Sequence, residues 1–298
     1  MNYLSVEKLT KSYGEKLLFN EITFGIEKGQ KSALIARNGT GKSTLLNIIA
    51  GVEFADCGSV TSRKDITISY LPQTDNFGHF DSVIDTIFES RLPVIQAIKE
   101  YEICLNALQK ANNAAHQQRM NEVIDAMDRL NAWDFESKAK EILSRFGIDN
   151  IFKNIRELSG GQRKKTALAK TLIEDTDLLI LDEPTNHLDI DMIEWLEDYL
   201  STSNTTLLMV THDRWFLDKV CNSIIELENQ QLYFYKGRYD YYLEKKSERL
   251  SNTTAEYDKI KQLYNKELEW AHTSPQARTT KAKARINNLN ELKEAVGQ

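Results

Sequence analysis

Cysteine is scarce in this sequence, and long apolar runs are missing from it. Cys57, Cys104 and Cys221 lie far apart with no metal-ligand spacing, so the expectation is three buried free thiols in a reducing compartment. The longest apolar stretches, such as Leu178-Leu179-Ile180-Leu181, stop well short of the roughly 20 residues a membrane helix needs. No basic-plus-apolar signal opens the chain, and no internal repeat is visible. These absences predict a soluble, cytoplasmic protein without a membrane segment. A global basic field is also lacking, since the formal charge is −6. The charge is uneven, however. Residues 236–298 hold 13 Lys and Arg against 9 Asp and Glu, a net of +4 that leaves −10 to the rest. The C-terminal segment is therefore the better surface for an anionic partner.

What is present is enough for a core: 298 residues, 41% of them hydrophobic, predict one or two domains. Residues 1–35 alternate as strands through Tyr3, Leu4 and Val6, then Ile22, Phe24 and Ile26. The short run Ser32–Ile35 feeds a Gly-rich loop, and a helix follows from Lys42 to about Ala50, stopped by Gly51. Residues 94–145 carry helical spacing (Tyr101, Leu105, Leu108, then Val123, Met127, Leu130) and predict a projecting helical hairpin that turns near Asn112-Asn113. Residues 177–181 and 205–210 read as buried parallel strands, with a helix at 188–200 between them. Beyond Gly237 a long amphipathic helix is expected through Leu243, Leu250, Tyr257, Ile260 and Leu263. Thr273-Ser274-Pro275 breaks it, and a second helix carries Ile286, Leu289, Leu292 and Val296.

The chemistry gathers at strand ends. Ala36-Arg37-Asn38-Gly39-Thr40-Gly41-Lys42-Ser43-Thr44 follows a strand and opens a helix, the context of a phosphate-binding loop. Gly39 and Gly41 carry no Cβ, so successive N–H groups can converge on a β-phosphate, and the helix N-terminus adds partial positive charge. Lys42 reaches β- and γ-phosphates, and the Ser43 hydroxyl is a ligand for Mg²⁺. Ala36 stands where the usual pattern has its first glycine; the loop is expected to survive this, with a weaker grip. The strand Leu178–Leu181 ends in Asp182-Glu183, which sets Asp182 near the magnesium water shell and Glu183 where it can polarise an attacking water. His212 ends the next apolar strand, where parallel sheets place their ligands, and can sense the γ-phosphate. Gln73, after a further strand, can touch Mg²⁺ and the water. Tyr13 offers a flat face for adenine, with an ordinary strand aromatic as the plainer alternative.

Together these residues resemble an ATP-binding-cassette nucleotide-binding domain from about Tyr3 to Gly237: Tyr13, the Ala36–Thr44 loop, Gln73, Leu158-Ser159-Gly160-Gly161-Gln162, Asp182-Glu183, Asp189 and His212, in the family's order. The fold implied is an α/β P-loop NTPase cassette with an antiparallel β subdomain and a helical subdomain with an arm at about 90–150. A charged helical linker hairpin is expected over 238–298. Asp182-Glu183-Pro184-Thr185-Asn186-His187-Leu188-Asp189 is similar to the soluble ABC-F group, and Trp270–Arg285 to the linker of its Uup-type branch. The resemblance implies ATP and Mg²⁺ as cofactors and catalytic roles for Glu183, His212 and Gln73. It implies magnesium contacts from Ser43, Gln73 and Asp182, and a D-loop at Asp189.

In that family ATP is sandwiched between one cassette's phosphate loop and the signature of another, so Leu158–Gln162 would serve a partner's nucleotide. The chain resembles the front half of a two-cassette protein. Alone it is expected to bind ATP and hydrolyse it poorly, unless it self-associates. The resemblance further implies action on the ribosome, with Arg278, Lys281, Lys283 and Arg285, a run without acids, touching RNA. DNA is the alternative target, and a transporter subunit with a separate membrane partner a third reading.

Overall fold

The computed structural model describes residues 1–74, 77, 82–90 and 92–273. Strands β1 (Asn2–Tyr13) and β2 (Lys16–Glu27) form a hairpin in which Tyr13 pairs with Lys16 across Gly14 at φ 60°. Only glycine takes that left-handed turn without strain. Then come β3 (Lys31–Ala36), α1 (Lys42–Ile49), β4 (Cys57–Ser62) and β5 (Ile68–Leu71). The helical segment follows: α2 (Val83–Ile87), α3 (Pro93–Lys110), α4 (Ala114–Arg129) and α5 (Trp133–Arg145). After a 3-10 turn at Ile155–Glu157 the chain returns through α6 (Gly160–Ile173), β6 (Leu178–Asp182), α7 (Ile190–Thr202), β7 (Thr206–Val210) and α8 (Arg214–Val220). It closes with β8 (Ser223–Glu228), β9 (Gln231–Lys236) and α9 (Tyr239–Thr273).

Two sheets result. One is antiparallel, in the order β2-β1-β4; the other runs β5-β6-β7-β3-β8-β9, parallel except for the hairpin partner β9. Every residue of β6 and β7 is buried, which is why both read as unbroken apolar runs. Helix α1 shares one core with both sheets: Leu45, Leu46, Ile48 and Ile49 join Leu4, Phe19 and Ile26 from the antiparallel sheet and Ile180, Leu208 and Ile225 from the parallel one. The loop 36–44 is thereby anchored at both ends, by β3 and by a helix whose apolar side is buried.

Two expectations need correction. The thiols are not all buried: Cys104 and Cys221 are, but Cys57 is exposed. It opens β4, an edge strand whose residues are almost all exposed, and the sequence lacked the alternation that would have revealed this. The predicted hairpin over 94–145 contains three helices. Asn113 accepts from His116 N at 2.9 Å and caps α4, so the turn at Asn112-Asn113 is real. Asn131 at φ 49° then ends α4 in the left-handed conformation that asparagine tolerates, and α5 buries Ala139, Ile142 and Leu143.

A first compact unit covers Met1–Arg238; the second starts at Tyr239, and its described part is α9. Along α9, Leu243, Leu250 and Leu263 of the predicted apolar stripe are about half exposed. The predicted second linker helix lies outside the described residues.

Candidate active site

The carboxyl ends of β3, β6 and β7 meet at one cleft of about 550 Å³. Its walls bring together Tyr13, Asn38, Gly39, Gly41, Lys42, Ser43, Thr44, Gln73, Asp182, Glu183 and His212, which lie far apart in the chain. Helix α1 begins at the cleft with Gly41 as its cap at φ 102° and no side-chain hydrogen bond to its first turn. Its leading N–H groups are thus left for an anion. A Cβ on Gly41 would lie 3.0 Å from Leu18, which would have to shift, and φ 102° strains any other residue here. Thr40 closes the loop by donating to Arg37 O at 2.8 Å. Ala36 ends β3 without a positive φ, so its methyl is no obstacle to the loop.

The Lys42 ammonium folds over this loop, donating to Ala36 O at 3.0 Å and Asn38 Oδ1 at 3.3 Å. Burial pushes its pKa below the usual lysine value, although the Glu183 and Asp182 carboxylates work the other way. Lys16 Nζ donates to Gly39 O at 2.8 Å. The sequence reading missed Lys16 and also Asn186, which lines the same cleft. The pairing of Lys16 with Tyr13 across the hairpin was the signal that could have found the former.

Asp182 is buried, and its Oδ2 has no hydrogen-bond partner among the described residues. Burial raises its pKa, against the lowering influence of the nearby Ser43 hydroxyl and the charges of Lys164 and Lys42. An orphaned buried carboxylate oxygen beside a serine hydroxyl, with Gln73 on the same wall, is a donor set of hard oxygens that fits Mg²⁺.

Glu183 turns the chain at φ 54°, a left-handed conformation that costs a non-glycine residue roughly 1 kcal/mol. Its N–H still donates to Val210 O at 2.8 Å, so the strand pairing with β7 continues past the turn. The side chain then meets His212: the histidine N–H donates to Oε2 at 3.3 Å, and Nε2 lies 3.3 Å from Oε1. Glu183 is 6% exposed, whereas the His212 side chain is open to solvent. Burial lifts the Glu183 carboxyl above its ordinary range, while His212 and Lys42 pull it back. A carboxylate with elevated basicity, oriented by a histidine, is equipped to take a proton from water.

Leu158, Ser159, Gly160, Gly161 and Gln162 do not line this cleft. They form the N-terminus of α6 instead. Ser159 Oγ accepts from Gln162 N at 3.2 Å while Gln162 Oε1 accepts from Ser159 N at 3.0 Å, a closed capping box. Asp189 caps α7 by accepting from Met192 N, and Lys165 of α6 lies 3.4 Å from its other oxygen. Arg278, Lys281, Lys283 and Arg285 lie outside the described residues.

Comparison with known proteins gives this arrangement its family. The model of the family described as ABC transporter matches residues 19–186. The chain belongs to this family. A second model with the same description matches residues 225–297. The uncharacterized ABC transporter ATP-binding protein YfmR of Bacillus subtilis is 44% identical over 300 residues, covering 100% of this chain and 47% of the relative. Energy-dependent translational throttle protein EttA of Mycobacterium tuberculosis is 31% identical over 288 residues, 97% of this chain and 52% of the relative. ATP-binding protein Uup of Haemophilus influenzae is 33% identical over 283 residues, 95% of this chain and 44% of the relative. The chain thus spans about half the length of the curated relatives it matches. A solved ATP-binding subunit of an ABC transporter superposes with a TM-score of 0.58 at 18% identity, over 78% of this chain and 90% of that one, which shows the α/β cassette fold. Members of this family in general bind and hydrolyse ATP with Mg²⁺. Among the described residues no helix is long and apolar enough to cross a membrane.

Proposed function

We propose that the chain is the cassette (1–237) and linker (238–298) of a cytoplasmic ABC-F ATPase of Uup type, acting with a second cassette on the ribosome. The observation that carries the two-cassette part is the separation of the site into halves. The phosphate loop, Asp182, Glu183 and His212 share one cleft, whereas the signature Leu158–Gln162 stands elsewhere as a helix N-terminus. Support for the ribosome comes from the relative named a translational throttle and from the match that extends through the linker to residue 297.

In this reading the loop Ala36–Thr44 and Lys42 hold the triphosphate, and Tyr13 receives the base. Ser43, Asp182 and Gln73 hold Mg²⁺, which when bound neutralises charge on the β- and γ-phosphate oxygens. Glu183 accepts the proton of the attacking water at its carboxylate, and His212 fixes that carboxylate and senses the γ-phosphate. Gly160 and Gly161 N–H groups and the α6 N-terminus, with Asp189 beside them, serve the nucleotide of the other cassette. Without that cassette hydrolysis is slow. The basic run Arg278, Lys281, Lys283 and Arg285 supplies contacts to RNA.

A pull-down of ribosomes by the Glu183→Gln variant, loaded with ATP, tests this. Enrichment well above wild type is expected. No enrichment, together with a steep salt-dependent affinity for duplex DNA in filter binding, would instead favour a DNA-associated ATPase. Co-purification with a membrane protein would favour a transporter subunit.

A further inference from the structure

Tyr13 lines the phosphate cleft, yet 53% of it faces solvent, so packing alone does not fix its ring. Polar contacts do. The phenol donates to Glu53 Oε1 at 2.5 Å. Glu53 is itself held by the Lys11 ammonium at 3.1 Å. The same ammonium lies 5.4 Å from the centroid of the Tyr13 ring and donates to Phe54 O at 2.8 Å. Next along β1, Ser12 gives both its N–H and its hydroxyl to Asp56 Oδ2, each at 2.7 Å. Three consecutive residues of β1 are therefore gripped by the segment 53–56.

That segment begins four residues beyond α1, the helix whose first turn carries Lys42 and Ser43, and it is tied back to that helix by Val52 and Glu53 N–H groups donating to Asn47 O at 2.9 and 3.3 Å. Helix α1, about 12 Å long, thus carries the loop 36–44 at its start and leads at its end into the segment that holds the tyrosine. Burial alone would raise the Glu53 carboxyl, but the Tyr13 hydroxyl and Lys11 hold it below its usual value, as expected of an anionic anchor. A phenol has one proton to donate, and here it is committed to Glu53. The ring has its face left to offer and no donor.

We propose that Glu53, braced by Lys11, is a positioning residue that presents the Tyr13 ring as a stacking platform for a purine base. The proposal rests on the reading of Tyr13 as the base-binding residue. It adds that base recognition is set by the loop after α1, and that it works through stacking without an edge contact from the phenol.

Calorimetric titration with ATP and with inorganic tripolyphosphate, which has no base, tests it on five variants. Tyr13→Ala is expected to weaken ATP by roughly tenfold. Glu53→Ala and Tyr13→Phe should each weaken it by about threefold, and the double variant by no more than either alone. Glu53→Gln keeps an acceptor for the phenol and should stay near wild type. Tripolyphosphate affinity should be the same throughout. Additive losses in the double variant, or an equal loss of tripolyphosphate affinity in Glu53→Ala, would overturn the clamp. So would an unaltered Glu53→Ala beside a weakened Tyr13→Ala. Should Tyr13→Ala itself leave ATP affinity intact, the platform fails first and the clamp with it.

Discussion

Two helices of this cassette start at glycine-rich turns, and they treat their N-termini in opposite ways. Helix α1 has Gly41 as its cap and no side chain on its leading N–H groups. Helix α6 has Ser159 and Gln162 bonded reciprocally, which satisfies the donors at Ser159 and Gln162 from within. An uncapped helix end is tolerable only where water or a ligand supplies the acceptor, so α1 is built for an anion and α6 is built first to be a stable helix. What α6 keeps in reserve is smaller: the N–H groups of Gly160 and Gly161, and open space. A Cβ on Gly160 would meet nothing within 4 Å. A self-contained anion cradle and a finished, glycine-smoothed surface are different devices, and the second has a use only if something approaches it.

The largest effect should come from the first device. Glu183→Gln removes the proposed proton acceptor, while the backbone turn and the contact from the His212 backbone N–H can persist with an amide oxygen. Hydrolysis should fall by about a hundredfold or more, with ATP affinity retained. Steady-state phosphate release and equilibrium nucleotide binding, measured on the same preparation, check this. A drop in affinity matching the drop in rate would mean that Glu183 holds the loop together, and that the contrast between cradle and chemistry is drawn in the wrong place.

Gly160→Ala sharpens the contrast from the other side. Gly160 has an ordinary φ and empty surroundings, so alanine at the first turn of α6 should leave stability unchanged or raise it by about 0.5 kcal/mol. Catalysis in a mixture with the companion cassette should nevertheless fall by roughly tenfold, because the added methyl holds off a partner's γ-phosphate. Thermal melting and ATP turnover separate the two. A lower melting temperature with an unchanged rate would make the signature a folding device only.

Much of this could be read without coordinates, for identifiable reasons. Leu178–Leu181 and Leu207–Val210 are legible because strands buried on both faces admit only apolar residues, and the acids and histidine that follow stand out against them. The turn between β3 and α1 is legible because a glycine-rich stretch stands between an apolar run and a helical one. What escaped notice reaches the cleft through tertiary pairing. Lys16 arrives by hairpin register and Asn186 by the turn that the left-handed Glu183 starts, while Glu53, which does not line the cleft, acts on it through the Tyr13 hydroxyl. Cys57 was misread because one residue on an edge strand has no pattern of its own, and α5 was overlooked because Asn131 was not recognised as a left-handed stop.

A smaller effect than that at Glu183 is expected from Asp182, the orphan that the cleft tolerates. Asp182 Oδ2 is buried without a partner among the described residues, and burial holds the carboxyl pKa above its ordinary value. Relative to the unfolded chain, the folded chain therefore favours the protonated acid. This group's contribution to stability is fully present below about pH 4 and is lost as pH rises through the elevated pKa. At neutral pH, Asp182→Asn should accordingly melt higher than wild type in the absence of nucleotide, by about 1–2 kcal/mol. The gap should close as pH falls toward 4. The difference between the two proteins is the quantity to follow, because carboxylates such as Asp85, held low by Ser82 and Lys99, push the absolute curves the opposite way. With magnesium and ATP the order should invert, since only the ionised oxygen can bind the cation and the asparagine variant should gain little from the pair. If Asp182→Asn melts lower than wild type without nucleotide, the carboxylate is a structural anchor, and the cradle is as internally satisfied as the helix end it was contrasted with.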